Sequence, residues 1–211
     1  NESYAMTLSG PLNTSKLTEC IEQLMDRHQA LRTTFQADGA AQRIHQSLAV
    51  DLDVVDVTSD VQKERLQSLI AEKIAILFDL ERGPLSRFVI FKVSESEHVL
   101  LIVFHHIILD GWSWGTLLRE LGELYRGRDQ AENAIPDPPA HYTDYLNWLQ
   151  SDAQSRQRGI DNSYWRDVFS DPFEEIELPA DHARPPEKTF GSGYLAVNVD
   201  EDLCRTLRTA S

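Results

Sequence analysis

His105 and His106, followed at short range by Asp110 and Gly111, are the residues whose types and spacing could do chemistry. They close the apolar run Val99 to Phe104, which reads as a buried strand. An imidazole where the chain leaves a core is well placed to accept or donate a proton near neutral pH. Side chains alternate along a strand, so His106 is predicted to share a face with Phe104 and Ile102, and His105 to point the other way with Val103 and Leu101. The two histidines should therefore have different jobs. A metal site is not expected, because neighbouring strand residues cannot both turn toward one ion and no further His, Cys or carboxylate stands at a familiar ligand spacing. Read on spacing alone, both histidines can also be ordinary hydrogen-bonded residues, with Asp110 capping the helix that follows.

That helix is predicted from Trp114, Leu117, Leu118, Leu121, Leu124 and Tyr125, which recur at helical spacing. Upstream, Leu85 to Val93 and His98 to His105 read as a hairpin around Ser94 to Glu97, giving the histidine strand an antiparallel neighbour. Ser3 to Leu8 reads as a strand, and a helix after Gly10-Pro11 carries Leu17, Ile21, Leu24, Met25 and His28 on one side. Leu31 to Gln36 and Gln42 to Gln46 flank Asp38-Gly39, a second hairpin signal. Leu52 to Val57 is a further strand, followed by a helix using Leu66, Leu69, Ile70, Ile74 and Leu77 and ended by Gly83-Pro84. After the Pro-rich segment Ile135 to Pro139, helices are predicted over Tyr142 to Ser155 and Asp161 to Phe169. An irregular stretch to Ser192 precedes a strand, Tyr194 to Val199, and a helix, Glu201 to Thr209. This order argues for an α+β or mixed α/β sandwich, with helices covering a largely antiparallel sheet.

A chain of 211 residues with 41% hydrophobic and 26% charged residues can bury a sizeable core as one domain. Its net charge of −14, with no local Lys/Arg cluster, opposes binding to nucleic acid or an anionic membrane and is read as a solvated acidic surface. Cys20 and Cys204 lie far apart inside predicted helices, which disfavours a disulfide framework and suits a reducing compartment. No secretory signal is visible, and no apolar run approaches the roughly 20 residues that span a bilayer, so a cytoplasmic protein is expected.

Several separated segments carry a family resemblance. Asp26-Arg27-His28-Gln29-Ala30-Leu31-Arg32-Thr33-Thr34-Phe35 resembles the second core motif of the condensation domains of nonribosomal peptide synthetases. His105 to Ser113 resembles the third, and Tyr142-Thr143-Asp144-Tyr145-Leu146-Asn147-Trp148 the fourth. Phe78 to Leu85 and Leu178 to Asp181 are similar to stretches common in that family, and all these segments stand in the family's order. The resemblance implies a chloramphenicol acetyltransferase-like sandwich forming one lobe of a two-lobed, V-shaped domain, with the site in a tunnel between the lobes. Residues 1–192 would be the N-terminal, donor-side lobe, and residues 193–211 would begin the crossing to the C-terminal lobe.

The implied chemistry is amide formation by acyl transfer. The amine of an aminoacyl group on a downstream carrier domain attacks the thioester of an upstream acyl or peptidyl group, both held on phosphopantetheine arms. His106 would accept the amine proton or hold the amine by a hydrogen bond. Asp110 would form an ion pair that fixes the loop, with Arg32 or an arginine of the other lobe. Gly111 would permit close backbone approach, its N–H supporting the thioester oxygen. His105, Arg32, Trp112 and Ser113 are the expected supporting or substrate-binding residues, and His105 is read as structural. Arg27 is equally well read as a cation at a helix end. Trp112 and Trp114 are expected to pack in the core or an interface, and Tyr142, Asp144, Tyr145 and Trp148 to serve packing and interdomain contacts. No tightly bound cofactor and no metal are expected; the partners would be the flanking carrier domains, an adenylation domain and the other lobe.

The family's first motif and those of its second lobe are not found here, so an isolated lobe with little or no activity is expected. Trp112-Ser113 favours condensation over epimerisation, whose motif continues Val-Ser-Trp, and heterocyclisation would place Asp at position 105. Coenzyme A-dependent acyltransferases share His-x-x-x-Asp but not the Arg27 to Thr33 segment. A noncatalytic recruiting domain is the remaining alternative, opposed by the intact His106 and Asp110. Ile108-Leu109 hints at a D-accepting subtype and the Arg27 to Thr33 segment at an L-accepting one, leaving that choice open.

Overall fold

The computed structural model describes residues 1–58, 63–127, 140–171 and 197–210, with residues 179, 181–183, 185–187 and 195. Residues 1–161 and 162–211 form separate compact units. The first is built on a sheet ordered β1-β6-β5-β4, from β1 (Glu2–Ser9), β4 (Leu52–Asp56), β5 (Ser86–Lys92) and β6 (Glu97–Phe104). β6 pairs antiparallel with both β1 and β5, whereas β4 joins β5 in parallel after a crossover helix, α2 (Lys63–Ala75). The sheet is thus largely antiparallel, as its turn-punctuated sequence predicts.

Both faces of β5 and β6 are covered, which is why these strands read as continuous apolar runs. Phe88, Ile90, Leu100, Ile102 and Phe104 face α1 (Thr14–Arg27) and α3 (Gly111–Gly127), meeting Ile21, Leu24, Leu117 and Leu121. The alternate residues Val89, Phe91, Val99, Leu101 and Val103 face the α2 side with Ile70. A second, two-stranded sheet, β2 (Thr33–Phe35) with β3 (Gln42–Ile44), follows the 3₁₀ turn Gln29–Arg32 that ends α1. Its bed is the loop after α2: Phe35 N–H donates to the Leu80 carbonyl at 2.8 Å. There Gly83 adopts φ +61°, and a Cβ on it would stand 2.9 Å from Thr34 Cγ2, so both conformation and space require glycine.

Three expectations need correction. Leu77 does not join the apolar stripe of α2: the helix stops at Ala75, Arg87 and Asn1 side chains take up the Ile76 carbonyl, and Leu77 is exposed. The helix break falls at Gln150–Ser151 and not after Ser155, giving α4 (Tyr142–Leu149) and α5 (Asp152–Val168), because Ser151 caps α5, its hydroxyl accepting from Gln154 N–H. Leu195 and Val197 to Val199 are irregular where a strand was expected, and Tyr194 and Ala196 lie outside the described residues. The second unit holds the end of α5 and α6 (Glu201–Ala210), as its amphipathic sequence predicts. The Ile135 to Pro139 segment, with Leu178 and Ala180, also lies outside the described residues.

Candidate active site

β6 ends at Phe104, and His106 to Ile108 form a turn before α3 begins at Gly111. Strict strand alternation therefore stops one residue short of the histidine pair, yet the two rings still part company. His105 lies edge-on to Phe78, a residue of the α2-side core, with ring centroids 6.4 Å apart. Its Nδ1 accepts from Ile107 N–H at 3.1 Å, and burial pushes the imidazole below its ordinary pKa. A neutral ring whose nitrogen accepts a backbone proton suits a structural part.

His106 is 60% exposed at its side chain and lines a cavity of about 500 Å³. Its Nδ1 lies 2.7 Å from the Leu109 carbonyl oxygen. A carbonyl can only accept, so Nδ1 carries the proton and, in the neutral ring, Nε2 keeps its lone pair. Glu2 Oε1 stands 3.7 Å from Nε2.

The cavity gathers the motif segments. The 106–110 turn and Ser113 form one wall, Gln29 and Ala30 a second, and Tyr142 and Thr143 of α4 a third. The far wall is one face of the β2–β3 ribbon, Thr33, Phe35, Gln42 and Ile44, whose cross-strand pairing (Thr33 with Ile44, Phe35 with Gln42) puts all of them on the same side. Thr143 Oγ1 donates to Gln29 Oε1 at 2.9 Å, tying the fourth motif segment to the second.

Asp110 caps α3. Its Oδ1 accepts from Ser113 N–H at 2.9 Å and Ser113 Oγ–H at 2.6 Å, and these bonds hold the carboxyl below the usual carboxylate range. The Asp110–Arg32 ion pair does not form. Arg32 instead donates to the backbone carbonyls of Asp26 and His45, latching the ribbon to the end of α1. Gly111 opens α3 with a normal φ, and a Cβ there would meet nothing within 4 Å. Trp114 packs in the core against Phe104 at 5.4 Å, but Trp112 is 92% exposed and so takes no part in core packing. Asp144 accepts from His141 N–H at the start of α4, while Tyr142, Tyr145 and Trp148 line its exposed face.

Arg27 has a role that its helix-end position did not disclose. Its Nε donates to Glu120 Oε2 at 2.9 Å, and His28 Nε2 approaches the same oxygen at 2.6 Å. Glu120 is buried; burial alone would raise its carboxyl, but the bonds and charges of His28 and Arg27 outweigh that and hold it low. The cluster clamps the end of α1 to α3, and so fixes the turn carrying Gln29 relative to the helix that begins beside His106. The readable signal was an acid at the i+3 position of the Leu117, Leu121, Leu124 stripe, where an apolar residue is expected. Among the described residues no three His, Cys, Asp or Glu side chains converge as a metal site, and no helix is long and apolar enough to cross a membrane.

Comparison with known proteins places the chain in a family. The chain matches the condensation-domain family model over residues 1–211. It is 35% identical to chondramide synthase cmdD of Chondromyces crocatus over 98% of its own length, which is 5% of that synthase. Among solved structures, the X-domain of teicoplanin biosynthesis, in its complex with OxyB, is similar with a TM-score of 0.75 and 30% identity, over 87% of this chain and 41% of the X-domain chain. The starter condensation domain of rhizomide synthetase RzmA, 23% identical, shares the fold with a TM-score of 0.67 over 79% of this chain and 41% of that one. The α+β sandwich is therefore of the chloramphenicol acetyltransferase-like kind, and this chain belongs to the condensation-domain family of nonribosomal peptide synthetases.

Proposed function

We propose that the chain provides the His106 side of a site that joins a carrier-bound acyl or peptidyl thioester to the amine of a carrier-bound aminoacyl group. The observation that carries this reading is the Nδ1–H bond from His106 to the Leu109 carbonyl, which leaves Nε2 as the proton acceptor of an exposed ring that borders the cavity. The neutral amine attacks the thioester carbonyl, forming the C–N bond and a zwitterionic tetrahedral species. Nε2 takes the ammonium proton, and collapse breaks the C–S bond. The departing thiolate recovers the proton, so the products are an amide and the free thiol of the phosphopantetheine arm. The Gly111 N–H, at the first turn of α3 where backbone donors lack helical partners, supports the oxyanion. Asp110 and Ser113 hold that turn in place, His105 anchors its other side, Arg32 fixes the facing ribbon, and exposed Trp112 is available to the substrate arm or the second lobe.

The chain spans about two-fifths of the solved structures it resembles. In this reading, residues 1–192 are the donor-side lobe and 193–211 the start of the crossing, working in the cytoplasm beside carrier and adenylation domains with a second lobe completing the tunnel. The lobe alone is expected to turn over little or not at all. The test is single-turnover amide formation between loaded carriers by the two-lobed protein and its His106→Ala variant. Loss of about 100-fold or more supports a proton-transfer role, and an unchanged rate refutes it.

The likeness to the X-domain in complex with OxyB favours one second reading, a domain that recruits a partner enzyme and forms no amide. In that case the two-lobed protein yields no amide from any carrier pair.

A further inference from the structure

The cavity beside His106 has three properties that together suit a selectivity pocket. Its volume, about 500 Å³, exceeds that of an amino-acid side chain and falls within the range of small-molecule sites. Its wall is largely apolar. Besides His106 itself, the acidic or basic side chain on it is Asp110, whose Oδ1 is taken up by Ser113; the remainder is apolar, as Ala30, Phe35 and Ile44, or neutral and polar, as Gln29 and Gln42. Such a lining favours an apolar group, which leaves water on contact with it.

The far wall is also held in shape. Arg32 ties the ribbon to the Asp26 and His45 carbonyls, and Thr34 Oγ1 lies 2.8 Å from His45 Nε2 on the face turned away from the cavity. Phe35 N–H is fixed on the Leu80 carbonyl. A wall tethered on its outer side yields little to an oversized group. On the inner side, Thr143 donates to Gln29 Oε1, so the NH₂ end of that amide is the one left to donate.

We propose that this cavity selects one of the two residues being joined by its side chain, admitting an uncharged and largely apolar group whose size is limited by Phe35 and Ile44. Gln29 and Gln42 serve an amide or hydroxyl within that group. The inference rests on the amide-forming reading, because it needs the substrate residue beside His106.

The experiment uses the two-lobed protein with loaded carriers. One arm varies the acceptor side chain among alanine, leucine, phenylalanine, aspartate and lysine while the donor is fixed; the other arm reverses this. Wild type is expected to favour leucine or phenylalanine over aspartate and lysine by about tenfold or more in one arm, which identifies the residue housed. Ile44→Trp should lower kcat/KM for phenylalanine relative to alanine by about tenfold, the order expected for misfit of a few methylenes, and Ile44→Ala should shift the ratio the other way. Gln42→Glu places a carboxylate on the same wall and should raise lysine relative to aspartate. Selectivity that is the same in wild type and all three variants overturns the pocket while leaving amide formation intact, as does a uniform loss for every substrate. A wild type that forms no amide with any pair overturns the function and the pocket together.

Discussion

Removing the carboxylate of Glu120 should destabilise the fold measurably, because it is a buried charge shared by two partners. Its side chain is 6% exposed, with the Arg27 and His28 partners at 14% and 24%. Deleting one partner of a fully buried ion pair costs about 3–5 kcal/mol, chiefly because the other charge is left unpaired. Water reaches Arg27 and His28 in part, so Glu120→Ala should cost about 2–3 kcal/mol, with Glu120→Gln costing less because the amide oxygen still accepts. For a domain of this size that corresponds to a fall in Tm of about 4–12 °C. Glu123→Ala is the control: Glu123 pairs with exposed Arg119 at 3.3 Å, and its loss should cost at most about 0.5 kcal/mol. The sign with pH also follows. A carboxyl held below its unfolded value contributes stability above that value, about 4.3 for Glu, and loses it as pH falls through the lowered native value. The gap between wild type and Glu120→Gln in urea unfolding should therefore be full at pH 7 and shrink in acid. A loss under about 0.5 kcal/mol for Glu120→Ala at pH 7 would refute the clamp.

Gly83→Ala should destabilise by about 1–3 kcal/mol in thermal unfolding, since the left-handed backbone and the Thr34 methyl both resist a Cβ. Gly111→Ala should leave Tm nearly unchanged, because its Cβ would enter open space, while lowering amide formation if substrate approaches that backbone; an unaltered rate removes Gly111 from the mechanism. Asp110→Ala should lower Tm through loss of the α3 cap, and the difference from wild type should disappear as pH falls through the depressed carboxyl value.

Much of the scaffold was legible because its physics is local. The continuous apolar runs of β5 and β6, the Asp38-Gly39 turn and the stripes of α1 and α3 each announce an element and how it is buried. The turn itself was legible for a different reason, the spacing of His106, Asp110 and Gly111, and the parting of the two histidine rings survived the early end of β6 at Phe104. What escaped was tertiary. Nothing in the Arg27 to Arg32 segment says that Arg27 would meet Glu120 on another helix or that Arg32 would latch a backbone carbonyl of the ribbon, since both depend on how separate elements pack. Leu77 misled because periodicity continues past the point where side chains of Arg87 and Asn1 take over the helix carbonyls. On the ribbon face, Phe35 closes the second motif segment, but Gln42 and Ile44 belong to no motif and offer only an alternation whose meaning depends on what lies opposite.

The proposed proton transfer depends on which nitrogen of His106 carries the proton. Nitrogen-15 NMR of the histidine-labelled chain, at a pH where the ring is neutral, reads this directly. The structure predicts a protonated Nδ1, lost as a signal on His106→Ala, and an unprotonated Nε2. A neutral His106 protonated on Nε2 would contradict the assignment, because that nitrogen could not accept the amine proton.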